Sequence, residues 1–371
     1  MQLSVYMNRT STVCSAAIAA LLSSGCVHLA ARHTHHRYLT PAERLAAIRR
    51  ARVWRKTDIP AVDMKNGPAR RDGFPPGATV TCDYRADPLG GRTPKFACAV
   101  APGDVVKVKY GRDNGEVYAG VAATRLLWAL GFGADAIYPV HVICRGCPKQ
   151  LAQAGSPAPP EPGTVRFEFA TIERKMPGRE MRTREETGWA WPELDLVDPR
   201  AGGAPRAQRD ALELLAVLLQ HSDNKADQQR LLCASAMTSK EDLAECEEPF
   251  MMLHDVGLTF GRANLFNRDS VGTVNLAEWR SQPIWKDPGR CVGNLSPTQT
   301  GTLSNPIISE EGRKFLADLL VQLTDDQMHD LFEAARFDAK PPPLGATATI
   351  DDWVTAFKHK REEIVSAKCP S

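Results

Sequence analysis

Two short polar blocks carry the clearest signal in this chain: His221-Ser222-Asp223-Asn224-Lys225-Ala226-Asp227-Gln228, the first block, and His254-Asp255-Val256-Gly257, the second block. Each block follows an apolar run, Leu214–Leu219 before the first and Phe250–Leu253 before the second. An apolar segment that delivers an aspartate into a turn can direct its carboxylate at a bound substrate or metal. Two such aspartates, the first followed by the amide side chain of Gln228, predict a site of phosphoryl transfer.

The composition sets wide limits on the class of protein. The chain has 371 residues, of which 43% are hydrophobic and 24% charged, and its formal net charge is +2. This length accommodates one large two-lobed domain or two ordinary domains, and the apolar fraction is sufficient for a core. A charge so near neutrality gives no indication of a nucleic-acid partner.

Residues 1–26 are predicted to be an export signal and not part of the fold. Arg9 supplies a basic region, Ala16–Leu22 is an apolar stretch too short to span a bilayer, and Ser23-Ser24-Gly25-Cys26 is typical of a cleavage site. The sequence leaves open whether Cys26 carries lipid or the signal is simply cleaved. We therefore expect an exported protein of the periplasm or outer envelope, which contacts the membrane only through a lipid anchor.

The cysteines favour disulfides. Of the 10 cysteines, Cys14 and Cys26 lie in the export segment, and the even number that remains is typical of an exported, disulfide-bonded chain. Proximity in the sequence, followed by elimination, suggests the pairs Cys82–Cys98, Cys144–Cys147, Cys233–Cys246 and Cys291–Cys369. Zinc at Cys144 and Cys147 is the rival interpretation, but no second cysteine pair has suitable spacing. The connectivity stays open at this point.

The order of predicted elements indicates an α+β fold with two lobes. A tether and a short helix are expected in residues 27–75, and strands dominate residues 76–175, together with one helix at Glu116–Leu130. Residues 176–371 are mainly helical, apart from a hairpin that carries Asp255. The smaller lobe is expected to be a twisted antiparallel sheet with one helix, and the larger lobe to be mostly helical.

The order of these motifs resembles one group of enzymes. Lys107-Val108-Lys109, followed by the helical segment Val121–Phe132, looks like the first lobe of the atypical kinases. This group contains secretory-pathway casein kinases, HipA-like kinases and phosphatidylinositol kinases. The first and second blocks resemble their catalytic loop and their metal-binding turn. The resemblance spans roughly Thr81–Gly261, and its specificity lies in the order and spacing of short motifs.

The resemblance implies roles for individual residues. Asp223 would be the catalytic base, Asp255 the main metal ligand and Gln228 a further metal ligand. Lys109 would contact the α- and β-phosphates, but Lys107 lies on the same face of the strand, so the choice between the two lysines stays open. The implied cofactor is ATP with Mg²⁺ or Mn²⁺, and the implied partner is an unidentified hydroxyl acceptor.

Five positions bear further on activity. Gly90 and Gly91 would form the turn that covers the phosphates. Gln228 stands where these kinases usually have Asn, and Gly120 stands where a glutamate should anchor the phosphate-binding lysine. Glu116, one helical turn earlier, is the residue that could reach the lysine instead.

Other interpretations stay open. His254-Asp255 is the central dipeptide of HD-type metal phosphohydrolases, with His221 and Asp223 as further candidate ligands. Those enzymes place the dipeptide on a helix, whereas the pattern here predicts a strand and a turn. The chain could also be a kinase-shaped or disulfide-stapled envelope protein that binds without catalysis, which Gly120 favours. Asp223 alone is also consistent with an ordinary turn residue.

Overall fold

The computed structural model describes residues 38–91, 93–149, 151, 157–235, 242–262, 274–342 and 347–370. Within them, helices and strands alternate in a mixed order, which confirms the predicted α+β class. The predicted export segment, including Cys26, and the tether as far as residue 37 lie outside the described residues. Within the described part of the chain, every helix is too short or too polar to cross a bilayer.

Five of the described strands form a closed barrel: β1 Ala78–Arg85, β2 Lys95–Ala101, β3 Asp104–Tyr110, β4 Ala136–Arg145 and β5 Thr164–Arg174. Their order around the barrel is β1-β2-β3-β5-β4. Apolar side chains such as Phe96, Val108, Val140 and Ile172 fill its interior. The strands therefore enclose a core of their own.

The barrel corrects the predicted antiparallel sheet. β4 closes the ring by pairing in parallel with β1, with Val80 opposite Val142, whereas the other four pairings are antiparallel. Helix α2, Glu116–Ala129, connects β3 to β4 and lets both strands run in the same direction. Such a crossover brings together strands that are distant in the sequence, and local hairpin patterns do not reveal it.

The remaining elements are mainly helical. The helices are α1 Pro41–Arg50, α3 Arg206–Leu219, α4 Leu276–Ser281, α5 Glu310–Leu320, α6 Asp325–Ala334 and α7 Ile350–Ser366. The strands are β6 Arg179–Glu180, β7 Gln229–Cys233 and β8 Pro249–Leu253 in one sheet, and β9 Trp285–Asp287 with β10 Val292–Gly293 in another. Packed aromatic rings hold the later helices together, among them Phe337 and Trp353 with centroids 4.6 Å apart. This part of the chain supplies both polar blocks.

The structure contains the disulfides Cys82–Cys98, Cys144–Cys147, Cys233–Cys246 and Cys291–Cys369. The prediction of disulfides is thus confirmed, and the pairs are those suggested by sequence proximity and, for Cys291–Cys369, by elimination. Two of the disulfides lie side by side in the barrel, where the Sγ atoms of Cys98 and Cys144 are 3.9 Å apart.

Candidate functional site

The two polar blocks lie next to each other because of the elements that precede them. α3 ends at Leu219, and Gln220, in the left-handed conformation, leads the chain into the first block. The second block follows β8 directly. The backbone N–H groups of His254 and Asp255 both donate to the carbonyl oxygen of Gln228, at 2.8 and 3.1 Å. The end of one block is therefore fixed to the start of the other.

Lys109 on β3 is held between two carboxylates. Its Nζ lies 2.6 Å from Glu116 Oε2 and 3.2 Å from Asp255 Oδ1, and its side chain is only 4% exposed. Burial alone would lower the pKa of Lys109, but the charges of Asp255 and Glu116 outweigh it and raise the pKa above its ordinary value. The ammonium group is therefore charged, and it joins the barrel to the second block.

Lys107, the other candidate, has a different partner. Its Nζ lies 2.5 Å from Glu173 Oε2 on β5. Both lysines come from the same strand, as alternation requires, but Lys109 is the one that contacts Asp255 and Glu116. The geometry therefore favours Lys109 as the lysine of the site.

Glu116 reaches Lys109 from the first turn of α2. Its backbone N–H donates to Asn114 Oδ1 at 3.1 Å, and its side chain also accepts a short hydrogen bond from the Thr93 hydroxyl. Gly120, where a glutamate was expected, packs against β4, and a Cβ there would lie 2.9 Å from Ile137 Cδ1, so that side chain would have to shift. The anchoring carboxylate therefore stands one turn earlier on the helix.

Asp255 faces both Lys109 and open space, with 23% of its side chain exposed. Burial would raise the pKa of Asp255, but Lys109, Lys107 and His254 hold it below its usual range, together with the N–H of Gly257, which donates to Oδ1 at 3.2 Å. The carboxylate is thus ionised and can accept a further cation.

Two glycines of the site have a structural reason, Gly257 because of close packing and Gly91 because of its left-handed backbone. A Cβ on Gly257 would lie 2.8 Å from Glu116 Cγ, so the second block can pass the anchoring glutamate only with a glycine at this position. Gly91 has φ +83°, and a Cβ there would lie 2.9 Å from Lys95 Nζ. Together with Gly90, it belongs to the β1–β2 turn at the rim of the site.

Asp223 lies in the first block with looser contacts. Gln228 Nε2 donates to Asp223 Oδ2 at 3.2 Å, and the hydroxyl of Thr298 donates to Oδ1 at 3.4 Å. Lys225 Nζ lies 3.9 Å from Oδ2. The buried side chain of Asn224 supports the loop from beneath through hydrogen bonds to backbone groups of the first block and of residues 302–303. Asp223 is therefore fixed at its backbone while its carboxylate stays accessible.

The two histidines do not form the HD arrangement. His221 is fully buried next to the Trp191 ring, and burial lowers its pKa to about 4, which keeps it neutral. His254 Nδ1 lies 2.6 Å from Asp135 Oδ2. His254 and Asp255 follow β8 in a turn, so in the described residues the dipeptide lacks the helical setting of those hydrolases.

A cavity of about 510 Å³, here called the cleft, is lined by part of the candidate set, whereas Lys109, Glu116 and Asp223 lie next to it and outside its lining. Its lining includes Asp255, Gln228, Gly90 and Gly91. The cations among its lining residues are Lys95, Lys107, Lys175, Lys225 and Arg230. Asp87, Glu173, Asp227 and Asp255 also line the cleft, so its charge is mixed, with the cations slightly in excess. A pocket of this size and charge suits a phosphorylated small molecule that binds together with a metal ion.

Several of these residues were not predicted from the sequence. Lys95, Lys175 and Arg230 are single basic residues on strands or loops, and nothing local distinguishes them from solvated surface. Thr93 and Asn224 act through contacts that only the fold creates. Lys225 was given no role either, although its position two residues after Asp223 in the first block was a usable signal.

Comparisons with known proteins give remote structural similarities and no match in sequence. No protein-family model matches the chain, and no curated protein matches it. Among solved structures, the chain is similar to the proinflammatory kinase CtkA of Helicobacter pylori, with 10% identity and a TM-score of 0.43, over 78% of this chain and 96% of that one. It is also similar to the Golgi casein kinase, with 10% identity and a TM-score of 0.34, over 78% and 72% of the two chains. Both TM-scores lie below 0.5, so neither similarity supports a conclusion about function.

Proposed function

We propose that this protein is an exported atypical kinase that transfers the γ-phosphate of ATP to a hydroxyl group with Mg²⁺ or Mn²⁺. One observation carries the proposal: Lys109 is clamped between Glu116 and Asp255 beside a cleft lined by cations. A charged lysine anchored by a helix glutamate can grip phosphates, and the neighbouring carboxylate can hold the metal that accompanies them.

The barrel residues in and beside the cleft, here called the barrel side of the cleft, would bind the nucleotide. Lys109 would contact the α- and β-phosphates, with Lys107 and Lys95 adding positive charge nearby. Gly90 and Gly91 would cover the phosphates, since a glycine turn allows the backbone to approach them closely. Burial lowers the pKa of Lys95, and repulsion from Lys109 and Lys107 lowers it further, so an anion in the cleft would relieve an unfavourable cluster of charges.

Asp255 and Gln228 are the residues that would hold the metal. Carboxylate and amide oxygens are the donors that Mg²⁺ and Mn²⁺ prefer, and both side chains line the cleft. Gln228 donates to Asp223 through its amide nitrogen, which leaves the amide oxygen available to a cation. The metal would neutralise phosphate charge when bound. The residues present therefore fit such an ion.

Asp223 would accept the proton of the attacking hydroxyl. Its carboxylate is accessible, and Gln228 orients it by a hydrogen bond. Lys225, 3.9 Å from the carboxylate, would stabilise charge on the phosphate during transfer. The proposed function specifies the acceptor only as a hydroxyl group.

We also propose a two-lobed organisation in which residues 76–175 bind the nucleotide and residues 176–371 carry the catalytic groups. An export segment of residues 1–26 and a tether of residues 27–75 would precede them, with Cys26 as the lipid-bearing residue if a lipid is attached. The four disulfides support export, because such bonds persist in oxidising compartments.

The alternative of a non-catalytic envelope protein remains a second candidate, but one of its reasons is weakened. Gly120 suggested that the phosphate-binding lysine lacks an anchoring carboxylate. In the structure, however, Glu116 Oε2 lies 2.6 Å from Lys109 Nζ. A chain that binds the metal–nucleotide complex and transfers no phosphate to any acceptor would match this alternative.

Thermal unfolding of the full chain, with its disulfides formed, tests the proposal. Wild type and Asp255→Asn are compared at millimolar ATP with and without Mn²⁺, and exposed Asp58→Asn is the matched control. Because the ligand binds only the folded state, we expect a metal-dependent rise of about 2–4 °C at a large excess of ligand over Kd. The rise should persist in the control and vanish in Asp255→Asn. Absence of any rise in wild type would reject the proposal.

A further inference from the structure

We propose that Thr298 is a phosphorylation site, and that each chain modifies its own Thr298 at the proposed kinase site. This inference rests on the proposed function and extends it by naming an acceptor. It starts from one contact: the Thr298 hydroxyl donates to Asp223 Oδ1 at 3.4 Å. A general base must lie within hydrogen-bonding reach of the proton that it removes, and such contacts are often long before the substrate is bound. Asp223 therefore already holds a hydroxyl where the acceptor is needed.

The backbone fixes Thr298 in this position. Its N–H donates to the carbonyl oxygen of Ser222 at 2.8 Å, directly before Asp223 in the chain. On the other side of Asp223, the amide oxygen of Asn224 accepts hydrogen bonds from the N–H groups of residues 302 and 303, at 2.8 and 2.9 Å. The segment 298–303 is thus attached to the first block both before and after the base, so the placement of the hydroxyl does not depend on its side-chain rotamer alone.

The surroundings of Thr298 can accommodate a phosphate. Thr298 is exposed, as are the neighbouring Gln299 and Thr300. Lys225, whose Nζ lies 3.9 Å from Asp223 Oδ2 and whose side chain is 34% exposed, offers a positive charge near the base. A transferred phosphate would therefore meet solvent and a cation, and no apolar surface would have to be disrupted.

ATP is the phosphate donor in this transfer. The Thr298 oxygen attacks the γ-phosphorus and forms a new P–O bond, while the bond from that phosphorus to the oxygen bridging to the β-phosphate breaks. The proton of the hydroxyl passes to Asp223, and ADP leaves with the bonding electron pair. The product carries roughly −1.5 to −2 charges at neutral pH. Like charges repel, so the phosphothreonine side chain would rotate away from Asp223 on its fixed backbone and leave the base free for a second, external hydroxyl.

Intact-mass measurement and peptide mapping test this inference. The full chain, with its disulfides formed, is incubated with ATP and Mn²⁺ over a dilution series. We expect one phosphate per chain, mapped to Thr298, with a first-order rate constant that does not change on dilution. Thr298→Val should lose this phosphate, Thr298→Ser should keep it, and the matched control Thr300→Val should keep it at Thr298. A rate constant that falls in proportion to dilution would overturn modification within one chain.

Two parallel readouts separate failure of this inference from failure of the proposed function. The first is the Mn²⁺-dependent rise in melting temperature with ATP, and the second is release of ADP. If both occur and Thr298 gains no phosphate, the inference is wrong and the proposed function stands. If wild type shows neither readout, the proposed function is wrong and the inference fails with it. The melting temperature without nucleotide verifies that Thr298→Val is folded.

Discussion

The barrel side of the cleft and the first block differ in how firmly their polar groups are held. On the barrel side, Lys109 Nζ lies 2.6 Å from Glu116 Oε2, and the two side chains are 4% and 9% exposed. In the first block, Asp223 contacts Gln228 at 3.2 Å and Thr298 at 3.4 Å, and it is more exposed. The groups proposed to bind nucleotide are thus arranged before any ligand arrives, whereas the proposed base keeps weak contacts that a substrate can replace.

The largest expected effect tests whether the barrel side is an ion-pair cluster. Lys109→Met should lower the free energy of unfolding by about 3–5 kcal/mol, because it leaves buried carboxylates without their cation. Urea unfolding measures this change. Lys95→Met is the matched control on the same sheet; it should cost little or even stabilise, since burial and neighbouring lysines already disfavour the charge of Lys95. Equal losses in both variants would contradict the comparison.

The second prediction concerns His221, the buried residue that begins the first block. The pKa of His221 is lowered from 6.5 to about 4 by burial, so in this pH range the unfolded chain binds a proton that the folded chain does not. The contribution to stability is complete above pH 6.5 and is lost as the pH falls toward 4, by at most about 3 kcal/mol. Urea unfolding at several pH values should therefore show a flatter pH dependence for His221→Leu than for wild type. Parallel curves would contradict this assignment.

A third prediction concerns the contact between the second block and α2. Gly257→Ala should cost about 1–3 kcal/mol and weaken the nucleotide-dependent rise in melting temperature, because the added methyl group overlaps Glu116. Gly289→Ala is the matched control, since the nearest atom to a Cβ there is 3.5 Å away. If Gly257→Ala binds nucleotide as well as wild type, the close approach to Glu116 is irrelevant to binding.

The smallest expected change in stability belongs to the proposed base. Asp223→Ala should alter the free energy of unfolding by only about 0.5–1.5 kcal/mol, because it removes long, partly exposed hydrogen bonds. It should abolish phosphate transfer and keep the metal-dependent rise in melting temperature with ATP. Phosphate incorporation into the chain, followed by intact mass, measures the first effect. Unchanged transfer would exclude Asp223 as the base.

Local patterns in the sequence predicted the helices and strands of this fold better than they predicted the closure of the strands into a barrel. Residue patterns predicted that strands dominate residues 76–175 and that a helix begins at Glu116, because these signals depend on neighbouring residues. They did not predict the parallel pairing of β1 with β4, which joins strands separated by a helix and two further strands. Closure of that kind is decided by packing over the whole barrel, and a short window of sequence does not contain it.

The candidate site shows the same division. Asp223 and Asp255 were visible because each follows an apolar segment, and Glu116 was visible as an acidic residue one turn before Gly120. Sequence alone did not decide between Lys107 and Lys109, which are equivalent by alternation. Only the position of the second block distinguishes them, since Asp255 lies against Lys109.

The neighbouring disulfides of the barrel have a consequence for how the chain acquires its bonds. Cys98 and Cys144 lie close enough in the folded barrel to be mistaken for partners, and they are separated by 46 residues. The native pairs close loops of 16 and 3 residues. Closing the 16-residue loop costs about 1 kcal/mol less chain entropy than closing the loop between Cys98 and Cys144, by logarithmic scaling with length. Oxidation of the unfolded chain thus favours the native disulfides. Once these have formed, neither Cys98 nor Cys144 has a free thiol with which to form the non-native Cys98–Cys144 bond.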